Sequence, residues 1–471
     1  MFDLEFDLLG IERGTITAPA GCGKTQLIAD ALTRHNGPKP ILVLTHTNAG
    51  VAALRGWLNK ARVPPAHYRL ATLDGFAIRL IRLFPKRSGH DPAVLELASP
   101  KNDYPAIRDA AVAMVAAGHL SDVLPATYAG LFVDEYQDCS LVQHALTVAA
   151  AEFLPTCVLG DPMQAIFGFK GNPLVDWEED VHAAFGRCGE LATPWRWINA
   201  GEKEFGDWLL KARKQLIAGR TIDLSVAPQN VTLVHLDGKE DHERRLRACR
   251  SRAPTEDGCV LIMADATKPK EQRRFARQTP GAVVAENVDM RDLVDFAEGL
   301  DLEDEGVLGT VVNFAASVMT NVGADDLLAR VESLKSGRAR REASDTEKAA
   351  LEFTAAPSYA GAGNLLSAIS RDAGVRTHRP PVLRGCHQVL QLCAAEGGPT
   401  PYEAAVQVRE QARMIGRPLA KRTVGSTLLL KGLEADVAVI LNPELMDRQH
   451  LYVAMTRGAR KLVICSNSPT L

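Results

Sequence analysis

Four short apolar runs, each ending at once in glycine or a polar residue, constrain the fold of this chain more than any other feature. Gly14-Thr15-Ile16-Thr17 leads into a glycine turn and a helical stretch from Gln26 to Arg34. Ile41-Leu42-Val43-Leu44 leads into a polar turn and a helical stretch from Ala49 to Lys60. Leu131-Phe132-Val133 ends in carboxylates, and Cys157-Val158-Leu159 ends in Gly160-Asp161. Short buried strands alternating with helices predict an α/β fold built on parallel sheets. Ligands of such sheets collect at the carboxyl ends of the strands, so chemistry is expected in these polar and glycine turns.

The 471 residues are ample for more than one domain, at roughly 150 residues each. A helical pattern around Ile107–Ala117, inside a segment rich in Ala, Pro and charge, reads as a small insertion at about 86–127. A second block begins near Val231, with strands at Val231–Leu236 and Cys259–Met263. Strand character returns at Val437–Leu441 and Leu462–Cys465. The expected layout is a first lobe over 1–185, a second lobe over 186–290 and 400–471, and a helical insertion over 291–399. A net charge of −3 excludes a wholly basic nucleic-acid coat and leaves a local basic groove open. No apolar run reaches the roughly 20 residues of a membrane span, and the acidic start Met1–Asp7 lacks a secretory n-region. The 9 cysteines form no C-x-x-C pair, which argues against a zinc ribbon or a disulfide framework. The expectation is a soluble cytoplasmic chain with reduced thiols and no membrane partner.

Ala18-Pro19-Ala20-Gly21-Cys22-Gly23-Lys24-Thr25, followed by Gln26, joins a strand to a helix. Glycines there let backbone N–H groups close around phosphate oxygens, and the helix N-terminus adds positive dipole character. Lys24 is suited to the β- and γ-phosphates, and the Thr25 hydroxyl to Mg²⁺. Ala18 stands where the strict pattern has glycine, and a fortuitous Gly-Lys-Thr at a helix start is the competing reading. Cys22 reads as a packing residue. In Asp134-Glu135-Tyr136-Gln137-Asp138, Asp134 is placed to hold Mg²⁺ and Glu135 to deprotonate an attacking water. Gln164, in the turn after Gly160-Asp161, can contact the γ-phosphate or that water. Phe167, Phe169 and Lys170 read either as core or as a base-stacking set beside a cation, with core the better reading in isolation. Two basic runs, Lys335 to Arg341 and Lys268 to Arg277, read as solvated faces, and Cys386-His387 with Cys393 as helical packing.

These elements occur in a fixed order with Lys431-Gly432-Leu433-Glu434 and Tyr452-Val453-Ala454-Met455-Thr456-Arg457. The set resembles the UvrD/Rep/PcrA-like helicases of superfamily 1, from Ala18 to Ile464. The resemblance implies two RecA-like lobes, ATP and Mg²⁺ as cofactors, and movement along single-stranded or tailed DNA. It implies that Arg196 and Arg457 are arginine fingers, that Trp195 stacks on the adenine, and that Gly432 and Glu434 lie near the ribose. Thr45, Thr47, Asn48 and Thr72 would contact the DNA backbone. Phe167 and Phe169 would stack on bases with Lys170 alongside. The chain departs from the family pattern in several places. No Gln precedes Gln26 to read the adenine edge, Leu428 replaces a His, Lys170 an Arg, and Pro194 an Asn.

The compact layout, with Leu73-Asp74-Gly75-Phe76 close before the acidic strand end, is similar to the helicase-like subunit of Gabija anti-phage systems. That similarity implies a nuclease subunit as partner. The expected function is ATP-dependent movement along DNA in repair, recombination or anti-phage defence. The alternative is a nucleotide-gated sensor or regulatory ATPase subunit of a nuclease-containing complex, with little unwinding.

Overall fold

The computed structural model describes residues 5–168, 173–414 and 420–471. Phe169 and Lys170 lie outside the described residues. The chain divides into two compact units. The first comprises Met1–Thr232, Pro443–Leu462 and Ser468–Leu471, and the second Leu233–Asn442 and Val463–Asn467.

The first unit is built on strands β1 (Arg13–Thr17), β2 (Ile41–Thr45), β3 (Tyr68–Thr72), β4 (Gly130–Val133), β5 (Thr156–Gly160) and β6 (Arg187–Glu190). Their spatial order is β3-β2-β4-β5-β1-β6, and each neighbouring pair is parallel. Successive side chains of a strand point to opposite faces, and both faces of this sheet are filled. Ile41 and Val43 enter one core with Leu27, Ile28 and Leu32 of helix Lys24–Arg34. Leu42 and Leu44 enter another with Phe76, Leu80 and Leu146. The segment expected to be a helical insertion consists of helices and turns, the longest being Pro100–Ala116.

The second sheet has the order β7-β14-β13-β8-β12-β9, with β7 at Val231–His235, β8 at Val260–Met263 and β9 at Ala282–Val284. Strands β10 (Met319–Thr320) and β11 (Arg376–Thr377) form a small antiparallel ladder of their own. The larger sheet is completed by β12 (Arg422–Gly425), β13 (Ala435–Ile440) and β14 (Gly458–Ser466). Val437 pairs with Val260 and Val424 with Ile262, both in parallel register. Helices between 291 and 412 bury a separate core around Val311, Phe353, Leu366 and Val389. The α/β class expected from the sequence is what forms: two RecA-like lobes, each on a six-stranded parallel sheet.

Candidate active site

The glycine turn follows β1 and opens helix Lys24–Arg34. Gly21 and Gly23 have φ of +71° and +87°, in the left-handed region that side chains resist. A Cβ on Gly21 would lie 2.5 Å from the Trp197 ring, and one on Gly23 3.0 Å from Trp195 Cδ1. The turn is therefore a cradle shaped by two tryptophans. Ala18 N donates to Gly160 O at 2.7 Å and ties the turn to β5. Gln26, expected at the end of the cradle, turns its amide to Asp30 of its own helix at 2.7 Å. Cys22 is buried beneath the turn, and burial, then Asp161 and Glu5, push its thiol up to about 12.

Lys24 meets the end of β4. Its Nζ lies 2.9 Å from Asp134 Oδ1 and 2.6 Å from Glu135 Oε1. Burial works against the ammonium charge, but the two carboxylates outweigh it and hold the Lys24 proton more tightly than usual. Burial raises the Asp134 carboxyl despite the neighbouring Lys24. Glu135 has φ +55°, an unusual conformation for a residue with a side chain. Its N–H donates to Asp134 Oδ1 at 2.9 Å.

A link from Glu135 to the next strand end escapes the sequence reading. Gln137 donates from Nε2 to Glu135 Oε2 at 2.5 Å, and its Oε1 accepts from Asp161 N at 3.0 Å. Gly160 makes room for it, because a Cβ there would lie 2.5 Å from Gln137 Oε1. Asp161 is fully buried and paired to Arg213 at 2.7 Å, and Arg213 also reaches Glu190 at 2.6 Å. Gln164 donates to Asp161 Oδ2 at 3.2 Å. Gln164 is thus held by the same carboxylate that anchors Arg213.

The two candidate arginines also lie in the first unit. Arg196 N donates to Gly21 O at 3.0 Å, and its Nη1 donates to Thr456 O at 2.6 Å. Arg457 is buried and donates from Nε to Val453 O at 2.9 Å and from Nη2 to Thr456 Oγ1 at 3.1 Å. Both guanidinium groups converge on Thr456, at the end of helix Arg448–Met455. One turn earlier on that helix, the Tyr452 hydroxyl accepts from Ala20 N at 3.1 Å. Burial keeps that phenol well above its ordinary range and therefore neutral. Trp197 is fully buried and donates to Gly458 O at 3.0 Å, which makes it a packing residue beneath Gly21.

The residues expected on DNA are more dispersed. Thr45 is buried at the end of β2, and Asn48 is exposed. Thr47 Oγ1 accepts from Gly50 N at 3.0 Å and Thr72 Oγ1 from Gly75 N at 2.9 Å, so both hydroxyls cap helices. Phe76 is core. Phe167 is half-buried, with its ring 5.9 Å from that of His46. Gly432 and Glu434 are exposed in the second unit.

The cradle fits a polyphosphate, since only glycine tolerates its left-handed positions and a cation stands beside it. Mg²⁺ takes one or two protein ligands and otherwise water and phosphate oxygens. The Thr25 hydroxyl and the Asp134 carboxylate are a donor set of that kind. Among the described residues no cluster of three or more His, Cys, Asp or Glu could hold a metal, and no helix is long and apolar enough to cross a membrane.

No curated protein matches the chain. Residues 110–175 match the family model of the UvrD/REP helicase N-terminal domain. The matched span contains the acidic strand end, Gln137, Asp161 and Gln164, and over these residues the chain is similar to that domain.

Proposed function

We propose that the chain hydrolyses ATP and couples that hydrolysis to movement along single-stranded DNA. The observation that carries this reading is Lys24 Nζ within 2.9 Å of Asp134 and 2.6 Å of Glu135, beside a turn with two left-handed glycines. Phosphoryl transfer asks a protein chiefly for positioning and charge stabilisation. Lys24 leaves its carboxylates for the β- and γ-phosphates, and the turn's backbone N–H groups bind the same oxygens. Thr25 and Asp134 would hold Mg²⁺, which would supply charge neutralisation at the phosphates. Once Lys24 has moved, the Glu135 carboxylate is free to take a proton from water, with Gln137 fixing its angle. Gln164 senses the γ-phosphate. Arg196 and Arg457 compensate the charge that develops in the transition state. Trp195 stacks on the base. Thr47, Asn48, Thr72 and Phe167 contact the strand; buried Thr45, and Phe169 and Lys170, are assigned to it from the resemblance alone. Thr47 and Thr72 accept the capping N–H through their hydroxyl oxygens, and each O–H can still donate to a phosphate oxygen.

A regulatory ATPase with little unwinding is the second reading. It is favoured by the compact insertions and by Leu428, which stands where the resemblance has a His. Such a subunit could serve a nuclease partner in anti-phage defence. One assay separates the two: purified chain, ATP and a 3′-tailed duplex. Strand separation supports the first reading, and DNA-stimulated hydrolysis without separation supports the second. Hydrolysis indifferent to DNA contradicts both.

A further inference from the structure

Helix Pro269–Gln278 of the second unit carries a face that ATP hydrolysis leaves unused. Gln272, Phe275 and Ala276 are buried, with Phe275 and Ala276 in the core of the sheet. Lys270, Arg273, Arg274 and Arg277 recur at helical spacing and share another side. The sequence reading takes them as a solvated face. The structure instead sets them along a cleft of about 560 Å³, with Ser317, Asn321 and His378 also in its lining. That volume lies within the range of small-ligand sites.

Two independent observations say what the cleft would hold. Arg273 is ion-paired to Asp292 at 2.5 Å, but among the described residues no carboxylate pairs with Lys270, Arg274 or Arg277. The wall therefore carries uncompensated positive charge. His378 is fully buried, and neither ring nitrogen has a hydrogen-bond partner. Burial, then the nearby Arg277, Arg379, Arg376 and Arg273, push its imidazolium down to about 3, so the ring is neutral and can donate one hydrogen bond and accept another. Buried polar groups are normally satisfied, and an unpartnered ring nitrogen beside these cations is suited to a phosphate oxygen.

We propose that this cleft is an oxyanion site that takes a phosphate group, gripped by the Arg274 and Arg277 forks, with Lys270 as a point charge and His378 as a neutral donor. Guanidinium groups match phosphate oxygens two at a time, which suits this face to phosphate. The same chemistry is offered by the backbone of a nucleic-acid strand and by a free polyphosphate. All of these residues lie in the second unit, so the proposal stands or falls independently of the Lys24 site.

The test uses the full chain with Lys24→Ala, which weakens the glycine turn as a competing phosphate site. Sodium tripolyphosphate is titrated calorimetrically, and a short oligothymidylate is followed by fluorescence anisotropy. Arg274→Gln with Arg277→Gln is compared with Arg338→Gln plus Arg340→Gln, which removes the same charge from another exposed run. The cleft pair should lose about tenfold in affinity for at least one probe, against about threefold or less for the control pair. Loss for oligothymidylate, with a salt slope shallower by about 1.4, identifies a strand as the source. Loss for tripolyphosphate alone identifies a free polyphosphate. If neither probe distinguishes the two pairs, the proposal is overturned.

Discussion

Glu135 shows at the scale of one residue how the candidate site is made. Its left-handed backbone costs about 1–3 kcal/mol, and it places the carboxylate where Lys24 and Gln137 both reach it. That Lys24, Asp134 and Glu135 stand together is legible in the sequence, because a glycine turn after one strand and acids after another end on the same edge of a parallel sheet. Gln137, Arg213 and Tyr452 are not legible as partners of this edge. Gln137 and Tyr452 stand inside motifs, but the contacts of Tyr452 to Ala20 and of Arg213 to Asp161 join segments far apart in the chain, and Gln137 ties Glu135 to the next strand end. Arg213 tests this reading. Burial opposes its charge but Asp161 wins, and the guanidinium is held more firmly charged than usual. Arg213→Leu leaves Asp161 buried without its cation and should cost about 3–5 kcal/mol in urea unfolding. A loss below about 1 kcal/mol would contradict the pairing. Cys22 gives a second test. A thiol pushed up to about 12 has almost no thiolate at pH 8, so iodoacetamide should label the exposed Cys188 well before Cys22. Equal labelling rates would show that the turn is more open than described.

Secondary-structure elements were legible to the extent that they are apolar. β2, β4, β5 and β8 are continuous hydrophobic runs buried on both faces, and pattern alone finds them. β6 and β12 escape notice. Arg187-Cys188-Gly189-Glu190 lies at the sheet edge beside β1 and is largely exposed, and Arg422-Thr423-Val424-Gly425 mixes polar and apolar residues. Tertiary pairing, and not local preference, makes them strands. Helix Arg448–Met455 belongs at this scale too, since one helical turn separates the Tyr452 contact to Ala20 from the Thr456 contacts of both arginines. Tyr452→Phe frees the Ala20 N–H. It should lower the KM for ATP severalfold while costing about 1 kcal/mol in stability. An unchanged or raised KM would mean that the hydroxyl does not compete with phosphate.

The whole molecule consists of two RecA-like lobes, one with the glycine turn and acidic strand end, the other with its own sheet, helical core and basic cleft. Composition could bound such a chain but not locate its charges. A net charge of −3 hides a face where, among the described residues, three cations stand without carboxylate partners. On the proposed reading, one site built around Lys24 and Glu135 converts ATP cleavage into work on a DNA strand. The most direct test is steady-state ATP hydrolysis by the full chain and by Glu135→Gln, each with and without oligothymidylate. The expected result is hydrolysis stimulated by the strand in the native chain, and at least about 100-fold slower turnover in Glu135→Gln with ATP still bound. Native-like turnover by Glu135→Gln, or a native chain that hydrolyses no ATP, would contradict it.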